Sequence, residues 1–318
     1  MICKNKKIRG IIIMEEILVF GHKSPDTDTV TSALVMAEFE RKLGNNARAC
    51  VLGKLNKETE YVFNYLGIEK PEIIEKVEDG QKIILVDHNE AKQSVDNREN
   101  ANILKVIDHH TMDFEVSHPI YYRAEPVGCT ATILYKMYKE NNLEIDKTLA
   151  TLMISAIISD TLLFKSPTCT DEDITAANKL NEIAGLDLES YGLSMLKAGT
   201  DLSDYSAEEL IALDAKEFTI GDVKTVVAQV NTASIEETLK RKDEIENAIK
   251  YQIESKGLNL FMFVITDIIN SNSETIAIGD RADLVEKSYN VKLEDNRAFL
   301  PGVVSRKKQI IPVLTENV

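Results

Sequence analysis

Cysteine and histidine are scarce in this sequence, and it has neither a long apolar run nor a basic stripe. The four cysteines, Cys3, Cys50, Cys129 and Cys169, are scattered and form no C-x-x-C pair. They are too few to staple the chain, and a reducing, cytoplasmic setting is expected. No apolar stretch approaches the roughly 20 residues of a membrane-spanning helix, and no small-residue cleavage site follows the start, so a soluble protein with no membrane partner is expected. Lys and Arg number 37 against 52 Asp and Glu, a formal net charge of -15. Such a surface repels polyanions, which disfavours a long DNA or RNA substrate.

What is present is enough apolar material, 44% of 318 residues, for a chain that exceeds the usual size of one core, so two domains are expected. The opening MICKNKKIRGIIIMEE sets a basic patch and three isoleucines before a second methionine, Met14. Residues 1–13 are therefore expected to be dispensable or to reflect an upstream start.

Ile17–Phe20 is a short apolar run ending in Gly21-His22, followed by a helical stretch Thr29–Leu43 with Asp28 as its candidate N-cap. Ile83–Val86 runs into Asp87-His88-Asn89, and Ile103–Ile107 into Asp108-His109-His110. Helical patterns at 58–66, 129–140 and 147–158 alternate with these strands, the last leading into Ser159-Asp160. The alternation predicts an α/β fold with a mostly parallel, Rossmann-like sheet flanked by helices. Ligands of such sheets sit beyond the carboxyl ends of the strands, where the three polar clusters would converge. A Gly-containing stretch over 186–203 suggests a linker near 198–203, hence domains 1–198 and 203–318. The second reads as a smaller mixed α/β domain: helix 207–215, strand 223–230, a long charged helix 235–255, strand 259–266, and shorter elements to 310–314.

Four of the five histidines fall in three motifs, His22-x-x-x-Asp26-x-Asp28, Asp87-His88-Asn89 and Asp108-His109-His110. With Asp160, each lies at or near the end of an element. Two imidazoles and four carboxylates without a thiolate suit Mn²⁺, Co²⁺ or Fe²⁺ better than structural zinc, and imidazole argues against Mg²⁺ alone. Two ions would neutralise Asp26, Asp28, Asp87 and Asp160. Ions roughly 3.5–4 Å apart can share a water and lower its pKa enough to make hydroxide near neutral pH. His88 and Asn89 are expected to steady Asp87 and the ligating histidines, and His118, beside Pro119, to be a loop histidine.

These motifs resemble those of the DHH phosphoesterase superfamily. Ser305-Arg306-Lys307-Lys308-Gln309, with Asp214-Ala215-Lys216-Glu217-Phe218, is similar to the family II inorganic pyrophosphatases, over essentially everything from Met14 onward. The resemblance implies a manganese- or cobalt-dependent hydrolase that splits pyrophosphate into two phosphates with a metal-bridged hydroxide. It implies that His22, Asp26 and Asp87 hold one ion and that Asp28, Asp87, His109 and Asp160 hold the other. His110 would face the substrate as donor or acid, and Lys216, Arg306 and Lys307 would bind its phosphates from the second domain. A Mg²⁺ would accompany the substrate, the site would lie between the domains with the linker as hinge, and the chain would be a homodimer. The main alternative is a DHH-type nuclease or oligonucleotide phosphodiesterase. Those enzymes usually carry a glycine-rich C-terminal motif with histidine, whereas here no histidine follows His118. A silent metal-sensing module is a third reading, disfavoured because every expected ligand is present. The Asp28–Asp87–Asp108 spacing leaves no room for an inserted regulatory domain.

Overall fold

The structure is a computed structural model. It describes the backbone of residues 7–8, 11–12 and 15–318, and side chains from residue 15 on, apart from that of Lys307. Cys3, Met14 and most of the opening segment lie outside the described residues. Two compact units are present, one ending at Gly199 and one starting at Thr200.

The first unit is built on strands β1 Ile17–Phe20, β2 Ala47–Val51, β3 Glu72–Ile73, β4 Lys82–Val86, β5 Asn102–Asp108 and β6 Tyr121–Ala124. They lie in the order β3-β2-β1-β4-β5-β6 and every pairing is parallel. The central strands β1 and β4 read as unbroken apolar runs, Ile-Leu-Val-Phe and Ile-Ile-Leu-Val, as strands covered on both faces must. One face packs Leu18, Phe20, Ile83, Leu85 and Val106 into a core with Cys50 and Val95.

Helices α1 Thr27–Lys42, α2 Lys57–Leu66, α3 Thr130–Glu140, α4 Lys147–Asp160, α5 Asp171–Ala184 and α6 Leu188–Gly199 complete the unit. Helix α4 is buried almost throughout, from Leu149 to Ile158, because nearly every position in it is apolar or small. Helices α1 and α3 meet where Tyr138 stands edge-on to Phe39, with ring centroids 5.3 Å apart, and its hydroxyl donates to the Val35 carbonyl at 3.0 Å.

One expectation fails in this unit. The N-cap of α1 is Asp26, whose Oδ1 accepts from the Thr29 N–H at 2.9 Å; Asp28 lies inside the first turn with its carboxylate buried. The Gly-containing stretch over 186–203, read only as leading to a linker near 198–203, is mostly helix α6. Its Gly192 packs so closely that a Cβ there would lie 2.7 Å from Leu163 Cδ1. That glycine marks a close approach between helices, not a break.

The second unit begins with α7 Ala207–Leu210 and carries β7 Ala215–Ile220, β8 Val223–Thr232, β9 Leu260–Asp267, β10 Asn272–Ile278 and β11 Arg297–Leu300. The sheet order is β11-β10-β9-β8-β7, with β8 and β9 parallel and the other pairs antiparallel. The parallel pair requires a crossover. Two helices, Ile235–Leu239 and Lys242–Lys256, supply it where one continuous helix was expected. The expected helix over 207–215 stops at Leu210, and Ala215 instead opens the edge strand β7. Cys50, Cys129 and Cys169 are free thiols. Among the described residues no helix is long and apolar enough to cross a membrane.

Candidate metal centre

The order of the first sheet reverses between β1 and β4, since the chain moves outward from β1 toward β2 and from β4 toward β5. A crevice therefore opens at the carboxyl ends of this pair, the usual ligand position in such sheets. His22 follows β1, Asp87 follows β4 and Asp108 ends β5. Asp26 and Asp28 sit at the N-terminus of α1, and Asp160 ends α4.

These side chains converge. His22 Nε2 lies 3.3 Å from Asp26 Oδ2 and 3.5 Å from Asp87 Oδ2. On the other side of the same carboxylate, His109 Nε2 lies 3.4 Å from Asp87 Oδ1 and 3.5 Å from Asp160 Oδ2. Ligand atoms of His22, Asp26 and Asp87 lie within 4.8 Å of one another, as do those of Asp28, Asp87, His109 and Asp160, and those of Asp87, His109 and His110. Asp87 belongs to every group, with Oδ2 turned to His22 and Oδ1 to His109 and His110.

The backbone at Asp87 is left-handed, φ 58°, and its N–H donates to the Ile107 carbonyl at 2.9 Å. Aspartate tolerates this region better than most residues, yet the conformation is uncommon and costs energy that its surroundings must supply. Thr29 Oγ1 donates to Asp87 Oδ2 at 2.6 Å and Thr130 Oγ1 to Oδ1 at 3.0 Å. Asp28 accepts from Ser32 Oγ at 2.6 Å and from the Thr130 N–H at 2.7 Å. None of these supporting hydroxyls was singled out in the sequence. Ser32 was legible in principle, four residues after Asp28 on one helix face, whereas Thr130 comes from a distant part of the chain.

A fit to metal is visible in the unsatisfied chemistry. The Val127 carbonyl, an acceptor only, lies 3.0 Å from His109 Nδ1, so Nδ1 carries the hydrogen and Nε2 turns toward the carboxylates. That buried Nε2 has no hydrogen-bond partner. Burial alone would lower the His109 imidazole, but its closeness to Asp87 and the charges of Asp28 and Asp87 raise it to about 9. His22 behaves alike: burial pulls down, Asp26 and Asp87 pull up, and the balance is about 9. Burial and the Asp87 charge push Asp28 up to about 7, and burial with Asp28 and Asp87 drives Asp160 well above the usual carboxylate range. Asp87 resists its own burial and stays near 2 because His109, His22 and Thr29 favour its charged form. A cluster that holds protons this tightly has a surplus of negative charge that divalent cations would neutralise.

Beside the cluster, His110 Nδ1 lies 2.9 Å from Asp108 Oδ1, which also accepts from the backbone N–H groups of His109 and His110. The Asp108 hydrogen bond raises the His110 imidazole. Asn89 Nδ2 donates to Asp108 Oδ2 at 2.6 Å, so Asn89 steadies Asp108 and not Asp87. His88 spends both nitrogens elsewhere, Nδ1 near the Val86 carbonyl at 2.9 Å and Nε2 near Ser94 Oγ at 3.0 Å. His118 Nε2 lies 3.1 Å from the Ile103 carbonyl, away from the cluster.

Gly21 gives a local test. A Cβ there would lie 2.4 Å from Thr29 Cγ2 and 2.9 Å from Thr29 Cβ, the residue that donates to Asp87. Gly21→Ala should displace α1 and release that hydrogen bond, destabilising the unit by about 1–3 kcal/mol as overpacking does. Thermal unfolding of the metal-free protein measures it; an unchanged melting temperature would show that the helix moves aside freely.

In the second unit the two expected cationic motifs come together. The Arg306 side chain is only 11% exposed and pairs with Asp214, Nη2 to Oδ1 at 2.8 Å, while Nη1 donates to the Asp214 carbonyl and, at 3.4 Å, to the Val227 carbonyl. Lys216 stands exposed on edge strand β7, directly opposite Val227, and not at the helix end expected for it. Gln309 Oε1 accepts from the N–H groups of Val304 and Ser305, which shapes the turn presenting Arg306. The Lys307 side chain lies outside the described residues.

Two family models cover most of the chain: the DHH family N-terminal domain matches residues 16–157 and the DHHA2 domain residues 193–317. The manganese-dependent inorganic pyrophosphatase of Bacillus subtilis is 57% identical over 305 residues, 95% of this chain and 99% of that protein. This chain belongs to the family of manganese-dependent inorganic pyrophosphatases. The crystal structure of a candidate family II inorganic pyrophosphatase from Methanococcus jannaschii shares 39% identity, covers 95% of this chain and 99% of its own, and superposes with a TM-score of 0.66. An exopolyphosphatase-related protein from Bacteroides fragilis, 15% identical with a TM-score of 0.50 over 95% of this chain and 91% of its own, shares the fold.

Proposed function

We propose that this chain is a manganese-dependent inorganic pyrophosphatase that hydrolyses pyrophosphate to two phosphates. Asp87 carries the reading, because its two oxygens face two donor groups across one carboxylate. His22, Asp26 and Asp87 would hold one Mn²⁺ or Co²⁺, and Asp28, Asp87, His109 and Asp160 the other. Ions held there would lower the pKa of water and polarise phosphoryl oxygens. The unit ending at Gly199 would be the metal-binding domain, and the unit starting at Thr200 the substrate-binding domain, close to the expected 1–198 and 203–318. A Mg²⁺ accompanies pyrophosphate, and the active assembly is a homodimer.

His110 has Nδ1 tied to Asp108, which leaves Nε2 as the atom that donates a proton to the departing phosphate. Arg306 uses three of its five N–H groups on Asp214 and Val227. The remaining two, with Lys216 and Lys307, would hold phosphate oxygens as their charge grows. Ion pairing with Asp214 locks the guanidinium in place beforehand, so little side-chain entropy is lost on binding.

The test is phosphate release from pyrophosphate by metal-stripped protein reloaded with Mn²⁺ in the presence of Mg²⁺, beside a dinucleotide and a short oligonucleotide. Release from pyrophosphate alone is expected; cleavage of the oligonucleotide alone would move the chain to the nuclease branch. A second outcome follows from the raised histidines. At neutral pH, metal-free His22 and His109 are protonated, so Mn²⁺ must displace protons. Its affinity should therefore rise with pH up to about 9 and level off above. Calorimetric Mn²⁺ titrations in two buffers of different ionisation heat should show proton release at pH 7, and none would contradict the assignment of these imidazoles.

A further inference from the structure

Glu58 has no part in the chemistry described so far, and its position in α2 has an ordinary explanation. Acidic residues in a first turn offset the helix dipole. Here, however, the cap is already supplied by Asn56, whose Oδ1 accepts from the Thr59 N–H at 2.8 Å. The Glu58 carboxylate instead turns inward. Its Oε1 accepts from Thr27 Oγ1 at 2.6 Å and from Ser159 Oγ at 2.5 Å, partners 31 and 101 residues away in sequence.

The identity of those partners gives the contact its meaning. Thr27 stands between Asp26 and Asp28, and Ser159 stands immediately before Asp160. One oxygen atom thus ties the N-terminus of α1, with two donors, to the C-terminus of α4, with a third. Burial raises the Glu58 carboxyl and the two hydroxyls counter it, so the contact persists against an unfavourable setting. The far side of Glu58 is equally constrained: a Cβ on Gly199 would lie 2.8 Å from Glu58 Cβ, a rigid atom. The close of α6 is thereby packed against the same side chain.

We propose that Glu58 is a positioning residue for the metal centre, setting the distance between the Asp26–Asp28 segment and Asp160 through Thr27 and Ser159. This rests on the reading of Asp26, Asp28 and Asp160 as metal ligands. Groups that orient ligands without touching the ion typically change metal affinity or activity by about 10–100-fold when removed. Glutamine keeps the Oε1 acceptor and the shape, whereas alanine keeps neither.

The experiment is a Mn²⁺ titration of the full-length, metal-stripped chain by calorimetry, for the native protein and for Glu58→Gln, Glu58→Ala, Thr27→Val and Ser159→Ala. A thermal melt of each without metal accompanies it. The native chain should take up two Mn²⁺. Glu58→Ala should bind at least one of them about 10-fold or more weakly, Glu58→Gln within a few-fold of native, and the two hydroxyl variants in between. Adding Ser159→Ala to Glu58→Ala should cost little more, since both remove the same contact. Native-like Mn²⁺ affinity in Glu58→Ala would overturn the proposal. If that variant fails to fold, native affinity in both hydroxyl variants would overturn it equally. A native chain that binds no Mn²⁺ would instead overturn the metal reading itself.

Discussion

Asp87→Asn should lower kcat/KM for pyrophosphate by about 10³-fold or more, a loss of about 4 kcal/mol or more in transition-state stabilisation. The protein should also lose the ability to retain two Mn²⁺ through dialysis. Both oxygens of Asp87 are committed, Oδ2 to the His22 side and Oδ1 to the His109 side. An amide keeps one oxygen and turns the other into a donor facing an imidazole. No rotation restores both halves. The metal-free fold should also lose stability, because His22, His109, Thr29 and Thr130 all favour the ionised carboxylate, and an amide turns a donor toward donors. Metal-free Asp87→Asn is therefore expected to melt below the native chain, while the metal loss exceeds what that melting shift explains. Metal analysis after dialysis, beside a melt, separates the two effects, and two retained Mn²⁺ per chain would refute the shared role.

The second large effect should come from Arg306→Ala, with the opposite signature. Here kcat/KM should fall by about 10²–10³-fold while Mn²⁺ content and its pH dependence stay native, since no donor of the first unit is touched. Lysine should rescue poorly. A single ammonium cannot reproduce the forked contact with Asp214 and still present two N–H groups outward. Steady-state kinetics with metal analysis decide the matter; an Arg306→Ala protein with native kinetics would remove Arg306 from the substrate site.

The parallel sheet was legible because its strands are unbroken apolar runs that stop at histidine or aspartate, a pattern local enough to read by eye. The donors were legible for the same reason: each lies at or near the end of an element. What holds the donors was not. Thr29 and Thr130 look like ordinary helix residues, and only folding brings both to Asp87. Asp108, read as the first letter of its motif, proves to be the anchor of His110. The helix read over 207–215 ran past its true end at Leu210 and missed strand β7, whose opening Ala-Lys-Glu favours helix. Its antiparallel pairing with β8, a tertiary fact, overrides that local preference. Gly192 was taken as punctuation although it permits α6 to approach Leu163.

Every candidate donor, from His22 to Asp160, belongs to the first compact unit, which ends at Gly199. On the ribosome this has a temporal consequence. The candidate donor set is incomplete until the end of α4 has emerged, and all of it is encoded before Gly199. At the roughly 5–20 residues per second of synthesis, amino-terminal domains generally fold first. On the proposed ligand set, every donor for Mn²⁺ would be synthesised several seconds before the unit bearing Arg306.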